Sequence, residues 1–171
     1  MKITCLGDSF TQGYLVEGRN YTRFLEKAGF SVKNLGVNGS TTDQMLERYK
    51  RFKNRKEKED ILLIFGGSND FLSGKSIEFV YKNVKSILKI SEARRKIVVL
   101  PPLVEEEETY YLYKMTNEKI KAYKNLYKKD QVNLIDASLI KGRYIDGIHL
   151  AADFHEKLAE KIIRSVDDRR T

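Results

Sequence analysis

Cysteine occurs once in this chain of 171 residues, and proline and histidine twice each. A single cysteine, Cys5, excludes an intrachain disulfide, and its place in an apolar run reads as a small buried hydrophobe, not a nucleophile. With so few prolines, no low-complexity tract and 41% hydrophobic residues, a packed core is expected and disorder is not. The longest apolar run, Ile61 to Phe65, is far too short to span a bilayer. The first residues, Met1 to Gly7, lack the basic, apolar and cleavage regions of a signal peptide, so the cytoplasm is the expected compartment. No linker or internal repeat interrupts the pattern, and residues 1–171 read as one domain.

Charge, by contrast, is plentiful. Lysine and arginine number 32 against 24 acidic residues, a net charge of +8 that favours acidic partners. The densest basic stretch, Lys50 to Lys58, reads as the solvated end of an amphipathic helix. No nucleic-acid module signature accompanies it, and the tyrosines are spread at helical spacing instead of forming a stacking platform. No specific nucleic acid is therefore expected as a partner. Peripheral contact with anionic lipid is a use the charge could serve, and the oligomeric state stays open.

Strand and helix patterns alternate along the chain. Lys2 to Leu6, Ser31 to Leu35, Asp60 to Phe65, Lys96 to Leu100 and Val132 to Ile135 are the candidate strands, short and apolar as buried parallel strands should be. Helical faces lie between them: Met45, Leu46, Tyr49 and Phe52; Ile77, Val80, Tyr81, Val84, Ile87 and Leu88; Ile120, Tyr123 and Tyr127; and finally Phe154, Leu158, Ile162 and Val166. Asn20 and Ser76 are candidate N-caps, and a first helix is predicted over Tyr21 to Lys27, stopping at Gly29. Strands separated by helices imply right-handed crossovers and a parallel sheet covered on both faces, a three-layer α/β/α sandwich. In such sheets ligands bind beyond the carboxyl ends of the strands.

Four short pieces fall at those ends: Gly7-Asp8-Ser9, Gly39, Gly67-Ser68-Asn69-Asp70 and Asp146-Gly147-Ile148-His149. Each alone has an ordinary reading, as a turn, a capping pair or a strand-ending loop. Together, in this order, they supply the parts of an acyl-transfer site. Ser9 is a hydroxyl that becomes nucleophilic only with an adjacent base. His149 is the candidate base, and Asp146, three residues earlier, can reach its Nδ1–H and fix the tautomer. The N–H groups of Ser9 and Gly39 and the amide of Asn69 are candidate donors to an oxyanion. Asp8 and Asp70 read as acceptors for loop N–H groups. His155 is expected on the polar face of the last helix. Its spacing from His149 puts the two rings on different faces, with no cysteine partner, so no metal site is expected.

The set resembles the SGNH hydrolases, or GDSL-type lipases and acylhydrolases, over nearly the whole chain. Gly7-Asp8-Ser9-Phe10-Thr11 is similar to the family's first block, with Phe10 where the name has leucine; Gly39 matches the second, Gly67-Ser68-Asn69-Asp70 the third and Asp146-Gly147-Ile148-His149 the last. The resemblance implies a flavodoxin-like sheet of five parallel strands in order 2-1-3-4-5. It also implies an esterase that works through an acyl-enzyme and needs no cofactor, and the five thin loops suggest a shallow groove suited to small or extended acyl esters. Ser9 is then the nucleophile, His149 the acid/base, Asp146 its partner, and Ser9, Gly39 and Asn69 the oxyanion hole.

Substrate choice is less legible. Tyr14, Leu15, Phe71 and Leu72 are candidate liners of an acyl pocket, with ordinary loop packing as the alternative. The stretch from Pro101 to Tyr113, including Tyr110, reads either as an acidic first turn of a helix, through Glu105 to Glu108, or as a lid. A lysophospholipase or thioesterase form of the same chemistry is a further alternative. A flavodoxin-like nucleotide-binding module is another, opposed by Asp8, whose carboxylate would repel phosphate.

Overall fold

The computed structural model describes residues 1–106 and 111–167. The five apolar runs form strands β1 (Lys2–Gly7), β2 (Ser31–Gly36), β3 (Ile61–Phe65), β4 (Arg95–Leu100) and β5 (Asn133–Asp136). Their ends lie within one residue of those expected. The helices are α1 (Ser9–Gln12), α2 (Tyr21–Lys27), α3 (Thr42–Asn54), α4 (Ser68–Leu72), α5 (Ile77–Ile90), α6 (Tyr111–Tyr123) and α7 (Ala152–Asp167). All strand pairs are parallel and the order is β2-β1-β3-β4-β5.

The central strand shows why its sequence must be apolar without a break. Successive side chains of a strand point to opposite faces, and here both faces are covered. Ile61, Leu63 and Phe65 join Ile3, Cys5, Tyr21, Leu25, Phe154, Leu158 and Ile162 in a core between the sheet and α2 and α7. Leu62 and Ile64 join Met45, Tyr49, Val80, Val84, Ile87, Ile120 and Tyr123 on the other face, under α3, α5 and α6. Full burial of each such aliphatic side chain contributes roughly 1.5–3 kcal/mol. Cys5 is fully buried, as expected, and burial pushes its thiol up to about 12.

Two glycines set how closely the first helix approaches the sheet. A Cβ on Gly7 would lie 2.0 Å from Thr11 Oγ1 and 2.6 Å from the Phe65 carbonyl oxygen. One on Gly36 would lie 2.2 Å from the Gln12 nitrogen. With hydrogen there instead, α1 lies directly across the ends of β1 and β2, and the chain turns from strand to helix at Ser9.

Two expectations need correction. Asn20 precedes α2 but does not cap it through its side chain: Asn20 Nδ2 donates to Thr11 O and Thr22 Oγ1, both at 2.8 Å. The acceptor for the first N–H of α2 comes instead from α7, where His155 Nδ1 accepts from Tyr21 N at 3.3 Å. His155 is therefore not a polar-face residue; it is 2% exposed, stacked on Tyr21 and packed against Phe154. Burial holds its imidazole well below the ordinary range, at about 4, with the charge of His149 acting in the same direction. Ser76 does cap α5, accepting from Phe79 N.

Of the segment considered as a lid, Leu103 to Glu105 is tied down on two sides. Val104 exchanges a pair of 2.9 Å hydrogen bonds with the Asn117 side chain of α6. Leu103 O accepts from Tyr144 Oη at 2.8 Å, and Glu105 N donates to Gly147 O at 2.7 Å. Glu105 and Glu106 lie ahead of α6, not in its first turn. Glu107, Glu108 and Tyr110 lie outside the described residues.

Candidate active site

Ser9 is the first residue of α1, and the local sequence explains why it stops there. Asp8 is the N-cap, its Oδ1 accepting from Phe10 N at 3.1 Å, which leaves the N–H of Ser9 at an open helix N-terminus. Burial pushes the Asp8 carboxyl up to about 7; the Phe10 N–H and Arg48 pull it down, while Asp70 adds to the rise.

At the far end of the chain, residues 143–151 fold into a tight return. Tyr144 and Leu150 form an antiparallel bridge, Ile145 N donates to His149 O at 2.8 Å, and Ala151 N donates to Arg143 O at 2.8 Å. Inside this return Asp146 Oδ1 accepts from His149 N at 2.7 Å and Ile148 N at 3.1 Å, while Oδ2 lies 2.7 Å from His149 Nδ1. Partial burial pushes the Asp146 carboxyl up, but these hydrogen bonds outweigh it and hold the group below the usual carboxylate range. His149 Nε2 then lies 2.9 Å from Ser9 Oγ, across 140 residues of sequence. The imidazole is met edge-on by Tyr14, with ring centroids 5.0 Å apart, and at a tilt by Phe10 at 5.6 Å.

The other two pieces meet through Ser40. Gly39 has φ +72°, a left-handed conformation that favours glycine, and among the described residues its N–H donates to nothing. The loop that carries it is held from below, with Val37 N donating to Gly7 O at 3.1 Å and Asn38 N to Gln12 Oε1 at 2.5 Å. Asn69, second residue of α4, donates one Nδ2–H to Ser40 O at 3.0 Å and keeps a second N–H for another acceptor. Asp70 accepts from Thr42 N at 2.9 Å and Thr42 Oγ1 at 2.8 Å, fixing the start of α3 against α4. Both aspartates thus accept from backbone N–H groups, as expected, though these belong to the first turns of α1 and α3 and not to loops. Beside Gly39 a groove of about 820 Å³ opens along α3, lined by Val37, Asn38, Ser40, Asp43, Gln44 and Arg51 among others.

Not every candidate liner faces this site. Tyr14, 41% exposed, packs on His149 as described, and Leu15 beside it is 45% exposed. Leu72 is half-buried at the end of α4. Phe71 is a correction: it is 1% exposed, its ring set against Tyr123 in the core under α6, because α4 turns that side inward. Tyr110 lies outside the described residues. Among the described residues no group of three His, Cys, Asp or Glu side chains could hold a metal ion.

Sequence reasoning passed over Arg48. Its Nε donates to Leu35 O at 3.0 Å, Nη1 to Ser40 Oγ at 2.9 Å and Nη2 to Gly7 O at 2.8 Å. A signal existed: Met45, Arg48, Tyr49 and Phe52 share one face of a helix, and an arginine inside an apolar stripe needs buried acceptors.

A sequence model of the GDSL-like lipase/acylhydrolase family matches residues 5–157. No curated protein sequence matches significantly. Similar folds include a member of the lipolytic G-D-S-L family from Veillonella parvula, 22% identical over 99% of both chains with a TM-score of 0.82. An aryl esterase from M. smegmatis is 18% identical over 98% of both chains, with a TM-score of 0.82. A carbohydrate acetylesterase from Sinorhizobium meliloti is 18% identical over 98% of both, with a TM-score of 0.81. At identities this low these three likenesses speak to the fold.

Proposed function

The chain belongs to the GDSL-like lipase/acylhydrolase family and is a hydrolase of ester bonds, and from that premise we propose that it cleaves small carboxylic esters through an acyl-enzyme on Ser9. The observation that carries the reading is the unbroken run of hydrogen bonds from Ser9 Oγ to His149 Nε2 at 2.9 Å and from His149 Nδ1 to Asp146 at 2.7 Å. With Nδ1–H donated to the carboxylate, Nε2 accepts the hydroxyl proton as Ser9 Oγ attacks the carbonyl carbon. Negative charge then develops on the carbonyl oxygen. The N–H groups of Ser9 and Gly39 and the second N–H of Asn69 are the donors that would meet it. Collapse of the tetrahedral intermediate expels the alcohol, which takes the proton from His149. Water, deprotonated by the same imidazole, then releases the acid and restores Ser9.

A short acyl group is favoured. The groove beside Gly39 is open, and most of its lining is polar or charged. A long chain laid there would gain little of the ~0.8 kcal/mol that each buried methylene supplies. The aryl esterase and carbohydrate acetylesterase named among the similar folds fit such a preference. The test is hydrolysis of p-nitrophenyl acetate by Ser9→Ala and His149→Ala. Both should lose turnover with an unchanged circular dichroism spectrum; wild-type turnover in either refutes the reading.

A further inference from the structure

We propose that Arg48 is a positioning residue for the oxyanion hole, one guanidinium that sets the spacing of all three donor-bearing segments. The inference rests on the roles proposed above for Ser9, Gly39 and Asn69. Those donors lie on three separate pieces of chain, after β1, after β2 and at the start of α4, and no covalent continuity keeps them in register. Arg48 bonds two of the pieces directly and the third by way of Ser40. Nη2 bonds the carbonyl of Gly7, two residues before Ser9. Nη1 bonds Ser40 Oγ, in the residue next to Gly39, and Nε bonds Leu35 O on the strand that leads there. The third piece is reached through Ser40, whose carbonyl accepts from Asn69 Nδ2 at 3.0 Å. Ser40 is thus bonded at its hydroxyl by Arg48 and at its carbonyl by Asn69; Ser40 is 2% exposed and Arg48 is partly buried.

The chemistry calls for arginine in particular. Three acceptors on two segments are met by three N–H vectors of one planar group, which lysine, with a single rotating ammonium, cannot reproduce. Partial burial pulls the guanidinium below its usual range, and the buried carboxyl group of Asp8, next to Ser9 in sequence, acts against that pull. Loosening the clamp therefore moves donors relative to one another without removing any side-chain group of Ser9, His149 or Asp146. A site displaced by as little as 1 Å loses catalysis more than binding.

The variants are Arg48→Lys and Ser40→Ala, read with p-nitrophenyl acetate and with phenylboronic acid. The boron takes Ser9 Oγ, the hydroxyl proton passes to His149, and the tetrahedral anion places an oxygen where the donors converge. Arg48→Lys should lower kcat by about 10–100-fold with KM within about 3-fold, and weaken phenylboronic acid binding by a similar factor. Ser40→Ala should do the same more mildly, by about 3–10-fold. Their double variant should lose less than the product of the two, because both cut one chain of contacts. A folded Arg48→Lys with wild-type kcat overturns the proposal, and so does a loss of kcat with unchanged phenylboronic acid affinity. If Arg48→Lys does not fold, Ser40→Ala decides by the same two readings. Ser9→Ala, run alongside, separates the failures: if it still turns over, the acyl-enzyme reading has failed, whereas a dead Ser9→Ala beside a fully active Arg48→Lys refutes the clamp alone.

Discussion

Asn69 has two N–H groups, and the two are put to different uses. One holds the Ser40 carbonyl at 3.0 Å, and the other is the only side-chain donor in the proposed oxyanion hole. Asn69→Ala should lower kcat by about 10²–10³-fold, the usual cost of one such donor, with a smaller change in KM, measured by steady-state hydrolysis of p-nitrophenyl acetate. Asp146→Ala frees the imidazole to take the wrong tautomer and removes the acceptor for the N–H groups of Ile148 and His149. It should cost on the order of 10³–10⁴-fold in kcat in the same assay, and an activity within about 3-fold of wild type would show that Asp146 does not orient the ring. These residues were legible because a short motif carries each of them. Arg48 was not, because its role depends on three carbonyl and hydroxyl acceptors that only the folded loops bring within reach. Phe71 was misplaced for the converse reason. Position beyond Asn69 says nothing about which side of a five-residue helix faces the core.

Helix ends and crossings decide what happens between these residues. His155, on α7, takes the place of a local cap on α2, and it can do so only while its Nδ1 is unprotonated. The folded imidazole binds a proton near pH 4 and the unfolded one near 6.5. Below pH 6.5 the unfolded chain thus holds a proton that the folded chain lacks, and stability falls with acidification until about pH 4, after which this site contributes no further loss. The loss amounts to as much as about 3 kcal/mol across that window. His155→Gln keeps an acceptor and cannot titrate. Urea unfolding of the two proteins at several pH values should show a flatter profile for the variant between pH 6.5 and 4; parallel profiles would contradict the buried, neutral ring. Gly36→Ala belongs to the same scale. Its methyl group would meet the backbone of α1 at Gln12 and Thr11, which cannot swing aside as a side chain can. A loss of about 3 kcal/mol or more in urea is expected, against little change if the helix can shift. The strands themselves were easy to read, since burial on both faces demands unbroken apolar runs such as Ile61 to Phe65. The cap of α2 was not, because a local asparagine and a histidine more than a hundred residues away compete for the same N–H, and sequence displays only the near one.

Seen whole, the molecule gathers its four motif pieces on one rim of a sheet whose parallel strands were expected from alternation and whose order was expected from the family resemblance. The groove at that rim is open and most of the residues that line it are polar or charged, so acyl-chain length should matter early. Across p-nitrophenyl esters from two to sixteen carbons, kcat/KM should be greatest at the short end and fall as the chain lengthens. A rise of about 4-fold per methylene would instead mean that an apolar surface buries the chain. Net charge of +8 was plain in the sequence, yet it says little about the site, where the charged side chains are mostly engaged with backbone or with one another. The convergence at the rim is tested most directly by reaction with a fluorophosphonate, followed by intact mass and peptide mapping. One adduct per chain, on the peptide that contains Ser9 and formed far more slowly in His149→Ala, is the predicted result. An adduct on any other residue, or an unlabelled Ser9 in protein that still hydrolyses ester, would contradict it.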